Sequence, residues 1–372
     1  MRDPVSPQAA VTAIGKTHFE VLDGMRGSAA VLVVLFHIMG MPIAWADEGQ
    51  YLHHAALAVD FFFALSGFVI AYAYDERWKS MTTGQFLIAR LIRLHPLVLL
   101  GASLGLLSFV FDPFADNQGT VPLGTVLTDF VLACLMLPYA ALPNRWTDTH
   151  SLNSPAWSLL QEYVANLIYA LILRRLSTRA LGAVVAVAGL ALIAVAYQEN
   201  SVDLGSDWDS FWMGTARVAF SFPLGLWLYR IRGRVPKIRL GWVAASAILV
   251  VLFAMPQVPK SIPHGNGAYH LFLVMLVFPI LILGGAHSDI GGKEMAVCKL
   301  AGRLSYPIYI LHYPFLLIYM NFVVFGKPPA ETAHLAAGAA FVIVVAFAWL
   351  ALIFYDEPVR KKLRSLTGPV RS

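Results

Sequence analysis

Charged residues are scarce in this sequence. Asp, Glu, Lys and Arg make up only 13% of its 372 residues, whereas 58% are hydrophobic and the mean hydropathy is +0.66. Soluble domains have about a quarter of their residues charged, so this composition excludes a soluble globular protein. It indicates a polytopic membrane protein, in which much of the surface faces hydrocarbon.

Cysteine is scarce as well. Cys134 and Cys298 are too few and too far apart in sequence for a disulfide framework or a thiolate metal site. His53, His54 and Asp60 are possible metal ligands, but the sequence offers no matching third and fourth ligands. We therefore expect no metal.

The sequence also lacks a basic tail and any interleaving of basic and aromatic residues, so we expect no nucleic-acid partner. The net charge of +5 is instead attributed to membrane topology. Neither an internal repeat nor a low-complexity segment nor a soluble linker divides the chain. We therefore expect one all-α membrane domain over residues 1–372, with a transmembrane core at about 19–358.

Hydrophobic runs near the ~20 residues that a spanning helix needs recur along the chain. An eleventh apolar stretch, 121–140, has Pro122 at its start and Pro138 near its end, which suit a re-entrant or interfacial helix rather than a span. The ten runs predicted to cross the membrane are 28–45, 54–74, 94–111, 155–173, 180–197, 211–230, 239–257, 270–285, 303–324 and 334–355.

Charge in the connections predicts the orientation. Basic clusters occur in four places, at 77–93, 174–179, 230–239 and 360–364, whereas the connections at 41–53 and 198–210 contain Asp and Glu but no Lys or Arg. The positive-inside rule assigns the basic clusters to the cytoplasm. We therefore expect both termini in the cytoplasm of a bacterial cell, with the chain in the inner membrane. This parity holds only if 121–140 does not cross.

The stretch FEVLDGMRGSAAVLVVLFH, 19–37, combines an Asp, an Arg and two glycines with an uncharged apolar run that ends at a histidine. At 1.5 Å per helical residue, His37 lies roughly 16 Å further along the axis than Arg26. An ionisable group at that depth is a functional candidate. His37 is either a general base for a hydroxyl nucleophile or a core histidine bonded to a backbone carbonyl.

Arg90 and Arg93 are three positions apart and therefore share one helix face. Two planar guanidinium groups on one face suit phosphate oxygens. Together with Arg26 they form a candidate clamp for the phosphates of an acyl donor, although Arg26 alone is also typical of the positive-inside edge of a span.

Further polar residues lie within or beside the predicted spans. Asp60 requires a partner or a water-filled cavity. In HSLNSPAWSLLQEYVANLIYAL, 150–171, Glu162 has three readings: orienting His37, binding a sugar hydroxyl, or pairing with an arginine such as Arg217. Trp157 suits stacking on a sugar or the aromatic belt of the membrane interface, and Asn153 joins Trp157 and Glu162 as a candidate acceptor-binding residue.

These pieces in this order resemble the acyltransferase-3 family of integral membrane acyltransferases, which includes O-antigen and nodulation-factor acetyltransferases. The matching motifs are LDGMRG with Arg-x10-His, VDFFFALSGFVI, Arg-x2-Arg, SPAWSLLQEY and GRLSYPIYILHYP, and they cover about residues 19–358. The resemblance implies about ten membrane helices. It also implies transfer of an acyl group, usually acetyl, from cytoplasmic acyl-coenzyme A to a carbohydrate hydroxyl, with essential residues Arg26, His37, Arg90 and Arg93.

The mechanism that we hypothesise places the coenzyme A phosphates at Arg90, Arg93 and neighbouring basic residues. His37 would act as general base or as a transient acyl carrier, while Glu162 and Asp60 assist catalysis and acceptor binding. Two alternatives remain: a secondary transporter, since intramembrane charges also mark proton and substrate pathways, and a non-catalytic lipid- or glycan-binding membrane protein.

Overall fold

The computed structural model describes residues 18–40, 51–115, 121–139, 142–143, 145 and 147–367. Throughout these ranges the regular structure is helical, and the only β pairing consists of isolated bridges. The predicted all-α fold is therefore confirmed. The acidic residues Asp47 and Glu48, which the orientation argument used, lie outside the described residues, as do both chain termini.

The helices follow one another with short connections. A π-helical turn at Leu273–Val277 joins α9 to α10, and a second at Leu352–Asp356 joins α12 to α13. In chain order the described helices are α1 (Glu20–Gly40), α2 (Ala58–Tyr74), α3 (Thr83–Val110), α4 (Leu123–Cys134), α5 (Ala156–Leu171), α6 (Thr178–Glu199), α7 (Phe211–Ile231), α8 (Trp242–Phe253), α9 (Gly265–Phe272), α10 (Phe278–Ala286), α11 (Gly292–Gly326), α12 (Ala330–Ala351) and α13 (Glu357–Leu366).

Eight helical segments among the described residues are long and apolar enough to cross a membrane, and they coincide with eight of the ten predicted runs. The other two runs form α7 and α8. α7 has 21 residues but includes Arg217 and Arg230, and α8 has only 12. α4 also has 12 residues, about 18 Å, which is too short for a core of about 30 Å. Its length agrees with the predicted re-entrant or interfacial helix.

Glycines let two pairs of helices approach closely. In the contact of α1 with α11, a Cβ atom added to Gly27 would lie 2.8 Å from the backbone of Ala301. In the contact of α2 with α7, a Cβ at Gly225 would overlap the carbonyl oxygen of Ala64. These are the two most extensive helix pairs, and small residues permit such packing where the hydrophobic effect between helices is weak.

The two ends of the helix bundle differ in charge. At the end where α2 and α7 finish, Arg230 pairs with Asp75 at 2.7 Å, and the basic connections after α2, α5 and α7 lie there. At the opposite end, Asn321 donates to Asp112, and the acidic segment 203–209 lies between α6 and α7. We refer to these as the basic end and the acidic end.

Candidate active site

Three cavities lie along α1 between the two ends. The basic vestibule, about 620 Å³, is lined by charged residues that include Arg26, Lys299, Arg303 and Arg360. The central chamber, about 170 Å³, is lined by Arg26, Ser66, Arg90, Arg93, Glu162, Tyr306 and Tyr309 among others. The histidine chamber, about 250 Å³, is lined by His37, Asp148, Trp157, Arg217, Tyr309 and Tyr313 among others.

Shared wall residues connect these cavities. Arg26 and Arg93 border both the vestibule and the central chamber. Tyr309 and Val59 border both the central chamber and the histidine chamber. The cavities therefore adjoin one another, and Tyr309 with Val59 forms the partition between the second and the third.

The partition is held by a hydrogen bond. The hydroxyl groups of Tyr309 and Ser158 lie 2.7 Å apart, which links α11 to α5. Both side chains are buried, and the ring of Phe62 packs against Tyr309 with centroids 5.3 Å apart. A molecule that passes from the central chamber to the histidine chamber has to displace Tyr309 or lie beside its ring.

Hydrogen bonds fix the tautomer of His37. Its Nδ1 lies 2.9 Å from the carbonyl oxygen of Val33, and because a carbonyl only accepts, Nδ1 carries the proton. Nδ1 of His312 likewise donates to the carbonyl of Tyr309 at 2.7 Å, so Nε2 of His312 is an acceptor. That Nε2 is 3.3 Å from Nδ1 of His37.

These contacts leave Nε2 of His37 unprotonated in the neutral ring. Within the described part of the chain this nitrogen has no hydrogen-bond partner, and the side chain lines the histidine chamber. The ring is held on its other sides by Phe36 and Tyr313, whose centroids lie 5.1 and 5.5 Å away. An oriented imidazole with a free lone pair is suited to accept a proton from a hydroxyl group.

Arg26 is held between α1 and α11. Its guanidinium donates to the hydroxyl of Ser305 at 2.9 Å and to the carbonyl of Gly302 at 2.8 Å, and it pairs with Asp23 at 3.1 Å. The side chain is part-buried and borders two cavities. Arg26 therefore lies at the passage from the vestibule into the bundle.

Arg90 and Glu162 form an ion pair in the wall of the central chamber. Their closest atoms lie 2.8 Å apart, and the same carboxylate oxygen accepts from Ser66 at 2.7 Å. The partner of Glu162 is thus Arg90 rather than the suggested Arg217. Glu162 does not line the histidine chamber and makes no contact with His37.

Arg93 lies on the same face of α3 as Arg90 and also reaches the central chamber. It is 3.9 Å from the buried carboxylate of Asp356, which forms a shorter pair of 2.7 Å with Arg360. The guanidinium of Arg93 also lies 5.5 Å from the ring centroid of Tyr306. Because Asp356 is shared by two arginines, it only partly neutralises the charge of Arg93. Arg93 therefore contributes positive charge to the two cavities that it borders.

Asp60 has the partner that its burial requires. It pairs with Arg217 at 2.7 Å, and both side chains are almost fully buried. Arg217 also donates to the carbonyls of Leu204 and Ala56 at 2.7 and 3.1 Å. Asp60 thereby fixes Arg217, which lines the histidine chamber, whereas Asp60 itself does not.

Trp157 packs inside the protein. Its side chain is only 5% exposed, and the guanidinium of Arg217 lies 5.4 Å from its ring centroid. Gly205, with φ of +117°, brings the segment before α7 so close that a Cβ there would lie 2.6 Å from the ring. The interfacial belt suggested by the sequence is therefore wrong for Trp157, and the ring lines the histidine chamber instead.

Asn153 donates a hydrogen bond to a backbone carbonyl of α11. Pro314 has no N–H group, so the carbonyl of Ile310 lacks its usual helical donor. The side-chain amide of Asn153 supplies one at 2.8 Å. Asn153 is buried and does not line the histidine chamber.

Asp148 brings a carboxyl group to the histidine chamber from the segment before α5. It accepts a hydrogen bond of 2.9 Å from Tyr313, which also packs against His37. Burial raises the pKa of Asp148 to about 6. Above that pH, Asp148 adds a negative charge to the wall of the histidine chamber.

Several residues of the site were not predicted as functional. His312 and Tyr309 are three positions apart in GRLSYPIYILHYP and share one face of α11. This helical spacing is present in the sequence and could have indicated that the two side chains lie together. Ser158 and Asp148 had no distinguishing pattern. Among the described residues no group of three or more His, Cys, Asp or Glu could hold a metal ion, and His54 pairs with His270 at 3.0 Å.

Comparison with known proteins gives three relatives. The acyltransferase domain model of the acyltransferase-3 family matches residues 19–353. Protein 2 in the picA locus of Rhizobium radiobacter is 35% identical over 187 residues, 48% of this chain and 94% of that protein. The acyltransferase MdmB of Streptomyces mycarofaciens is 25% identical over 317 residues, covering 78% of this chain and 77% of the relative.

The third relative is longer than this chain. The peptidoglycan O-acetyltransferase OatA of Listeria monocytogenes is 24% identical over 373 residues, which cover 94% of this chain but only 57% of the relative. No solved structure matches the chain significantly.

Proposed function

Because this chain belongs to the acyltransferase-3 family, it is an acyltransferase, and we propose that it moves an acyl group, acetyl foremost, from acyl-coenzyme A to a hydroxyl group of a carbohydrate or glycolipid. The observation that carries this proposal is the series of adjoining cavities along α1, from the basic vestibule past Arg26 to the chamber of His37. Such a series suits two substrates that enter from opposite sides. One relative is named as an O-acetyltransferase of peptidoglycan, which supports an oxygen acceptor on a carbohydrate.

The orientation in the membrane is part of the proposal. The basic end carries the Lys- and Arg-rich connections after α2, α5 and α7, and such connections remain in the cytoplasm. In this orientation the vestibule opens to the compartment that contains acyl-coenzyme A. The acidic end then faces the outside of a bacterial inner membrane, where surface glycans are modified.

The chemistry begins with proton removal. The acceptor hydroxyl gives its proton to Nε2 of His37 while its oxygen attacks the thioester carbonyl. The C–S bond breaks, the acyl–oxygen bond forms, and the thiolate of coenzyme A takes the proton back from His37. In the relay version, Nε2 of His37 attacks the thioester carbonyl, the C–S bond breaks and the thiolate of coenzyme A leaves, so that the acyl group is held on a ring that still carries the proton on Nδ1. The acceptor oxygen then attacks this acyl group, the C–N bond breaks, and the acceptor proton passes to the thiolate.

The remaining residues hold the reactants. Arg26 and Arg93 steer the donor from the vestibule into the central chamber, and Arg90 with Glu162 and Ser66 forms the polar wall along which the thioester arm lies. Trp157 offers an aromatic face to a sugar in the histidine chamber. Arg217 is fixed by Asp60 and by two backbone carbonyls, and it offers its remaining N–H group there.

The transporter alternative predicts a different result at the same residues. A transporter moves the intact acceptor and leaves it unmodified, whereas the proposed enzyme transfers radiolabel from donor to acceptor. Membership of an acyltransferase family favours the second outcome.

The test is acetyl transfer by the full chain in nanodiscs, with radiolabelled acetyl-coenzyme A and glycan acceptors from the native membrane. His37→Gln should lower the rate by about 10²- to 10⁴-fold, the usual contribution of a general acid–base group. His53→Gln is the matched control, since His53 lies outside the three cavities. Full transfer by the His37 variant would contradict the proposal, as would counterflow of an unmodified acceptor without label transfer.

The acceptor itself is identified separately. Mass spectrometry of surface glycans from a deletion strain should find one acetyl increment missing from a single glycan class. Restoring the gene should return it, and restoring the His37→Gln version should not.

A further inference from the structure

One face of α13 lines the basic vestibule. Its lining residues are Glu357, Arg360, Lys361 and Arg364, at relative positions 0, 3, 4 and 7, which is the spacing of one helix face. Pro358 lies in the first turn of α13, directly after the π-helical turn that ends at Asp356. This face of α13 is therefore directed into the vestibule.

Two of the four charges on this face are already neutralised. Arg360 pairs with Asp356 at 2.7 Å, and Glu357 pairs with Arg303 at 2.8 Å. Lys361 and Arg364 form no ion pair with any residue in the described ranges, although both line the cavity. Two such cations in a concave surface attract an anionic ligand.

The vestibule also differs in size from the chamber behind it. Its volume of about 620 Å³ exceeds the 170 Å³ of the central chamber, and Arg26 with Arg93 lies at the junction. Acyl-coenzyme A has the same proportions: a bulky nucleotide head with a 3′-phosphate and a diphosphate, and a narrow pantetheine arm that ends in the thioester. We therefore expect the head in the vestibule and the arm in the central chamber.

We propose that the vestibule face of α13 binds the 3′-phosphate of the donor nucleotide through Lys361 and Arg364. This proposal rests on the proposed function, since it assumes an acyl-coenzyme A donor. In coenzyme A the diphosphate is attached to the pantetheine arm, whereas the 3′-phosphate is on the ribose beyond it. The arginines at the junction therefore meet the diphosphate, and the cations of α13 meet the 3′-phosphate.

The experiment compares coenzyme A with 3′-dephospho-coenzyme A as probes. Binding to the full chain in nanodiscs of zwitterionic lipid is measured by isothermal titration calorimetry for the native protein, for the double variant Lys361→Gln/Arg364→Gln, and for Lys362→Gln. Lys362 is the matched control, because it is an exposed neighbour on α13 that does not line the vestibule.

The native protein and the Lys362 variant should bind coenzyme A at least about tenfold more tightly than the dephospho form, as expected for charge-assisted contacts to one phosphate. The double variant should lose this preference and bind both probes alike. Its thermal midpoint should equal that of the native protein, which shows that the fold is intact.

The remaining results lead to different conclusions. A double variant that keeps the preference for coenzyme A overturns the inference and leaves the proposed function standing. Equal binding of both probes by the native protein also overturns it. A second set of nanodiscs, which contains phosphatidylglycerol, tests the lipid outcome. If the double variant keeps its coenzyme A affinity but retains less phosphatidylglycerol than the native protein, the face binds anionic lipid and the inference is overturned. No binding of either probe by the native protein removes the acyl-coenzyme A donor and with it the proposed function.

Discussion

Replacing His312 tests how His37 is prepared for proton transfer. In the neutral ring, the proton on Nδ1 of His37 has two acceptors: the carbonyl of Val33 at 2.9 Å and Nε2 of His312 at 3.3 Å. The shorter contact is within α1 and survives loss of His312. His312→Phe should therefore leave the tautomer of His37 unchanged.

The effect is expected when His37 takes up the acceptor proton and becomes a cation. A hydrogen bond to a charged group contributes about 1.5–3 kcal/mol, and the length of 3.3 Å favours the lower limit. Since 1.36 kcal/mol corresponds to a factor of ten, His312→Phe should lower kcat by about tenfold. KM for the donor should stay the same, because His312 does not border the vestibule or the central chamber.

Steady-state acetyl transfer in nanodiscs gives kcat and KM for the native protein and for the variants His312→Phe, His312→Gln and His37→Gln. The amide oxygen of a glutamine reaches about as far as Nε2, so His312→Gln should restore most of the rate. Thermal midpoints of all variants check the fold. An unchanged kcat for His312→Phe would refute the reasoning, as would a loss as large as that of His37→Gln.

Two further predictions concern stability. Gly225→Ala places a methyl group against the carbonyl of Ala64 between α7 and α2, so it should lower the thermal midpoint in detergent. Gly338→Ala is the control, because a methyl group there lies in open space and should leave the midpoint unchanged. Equal midpoints for the two variants would contradict the close helix contact. The pKa of Asp148, raised by burial to about 6 from an ordinary value of 3.8, means that the folded protein holds this proton more tightly than the unfolded chain. Stability should therefore fall as pH rises from about 4 to about 6, by about 2–3 kcal/mol from this group. Asp148→Asn should remove that fall. The thermal midpoint of this variant minus that of the native protein should therefore be larger at pH 7.5 than at pH 4.5. An equal difference at the two pH values would count against this account.

Much of the fold could be predicted from the sequence because membrane helices are local patterns. Apolar length identified eight of the ten predicted spans, whereas the run at 239–257 contains only the 12-residue helix α8. The short α4 followed from two prolines and the charge of the connections. The run at 211–230 was predicted as a span, but Arg217 and Arg230 reduce the apolar character of α7, and their carboxylate partners are found only in the folded protein.

The site depends on pairs that no local pattern contains. Arg90 meets Glu162 across 72 positions of sequence, and His37 meets His312 across 275. Each of these side chains is visible in the sequence as a polar group within an apolar run. The residue that it contacts in the folded protein is not. Neighbours follow from helix packing, and for α1 with α11 and α2 with α7 this packing depends on close backbone approach at glycines.

The partition formed by Tyr309 and Val59 has a consequence for the cell as a whole. Polar cavities that enter a membrane protein from both faces form a water-filled pore if they merge, and a pore of that kind would dissipate the proton gradient. Tyr309 and Val59 separate the two chambers, and the hydrogen bond between Tyr309 and Ser158 holds the ring of Tyr309 in this position. Electrical insulation of the membrane at this place therefore depends on two side chains.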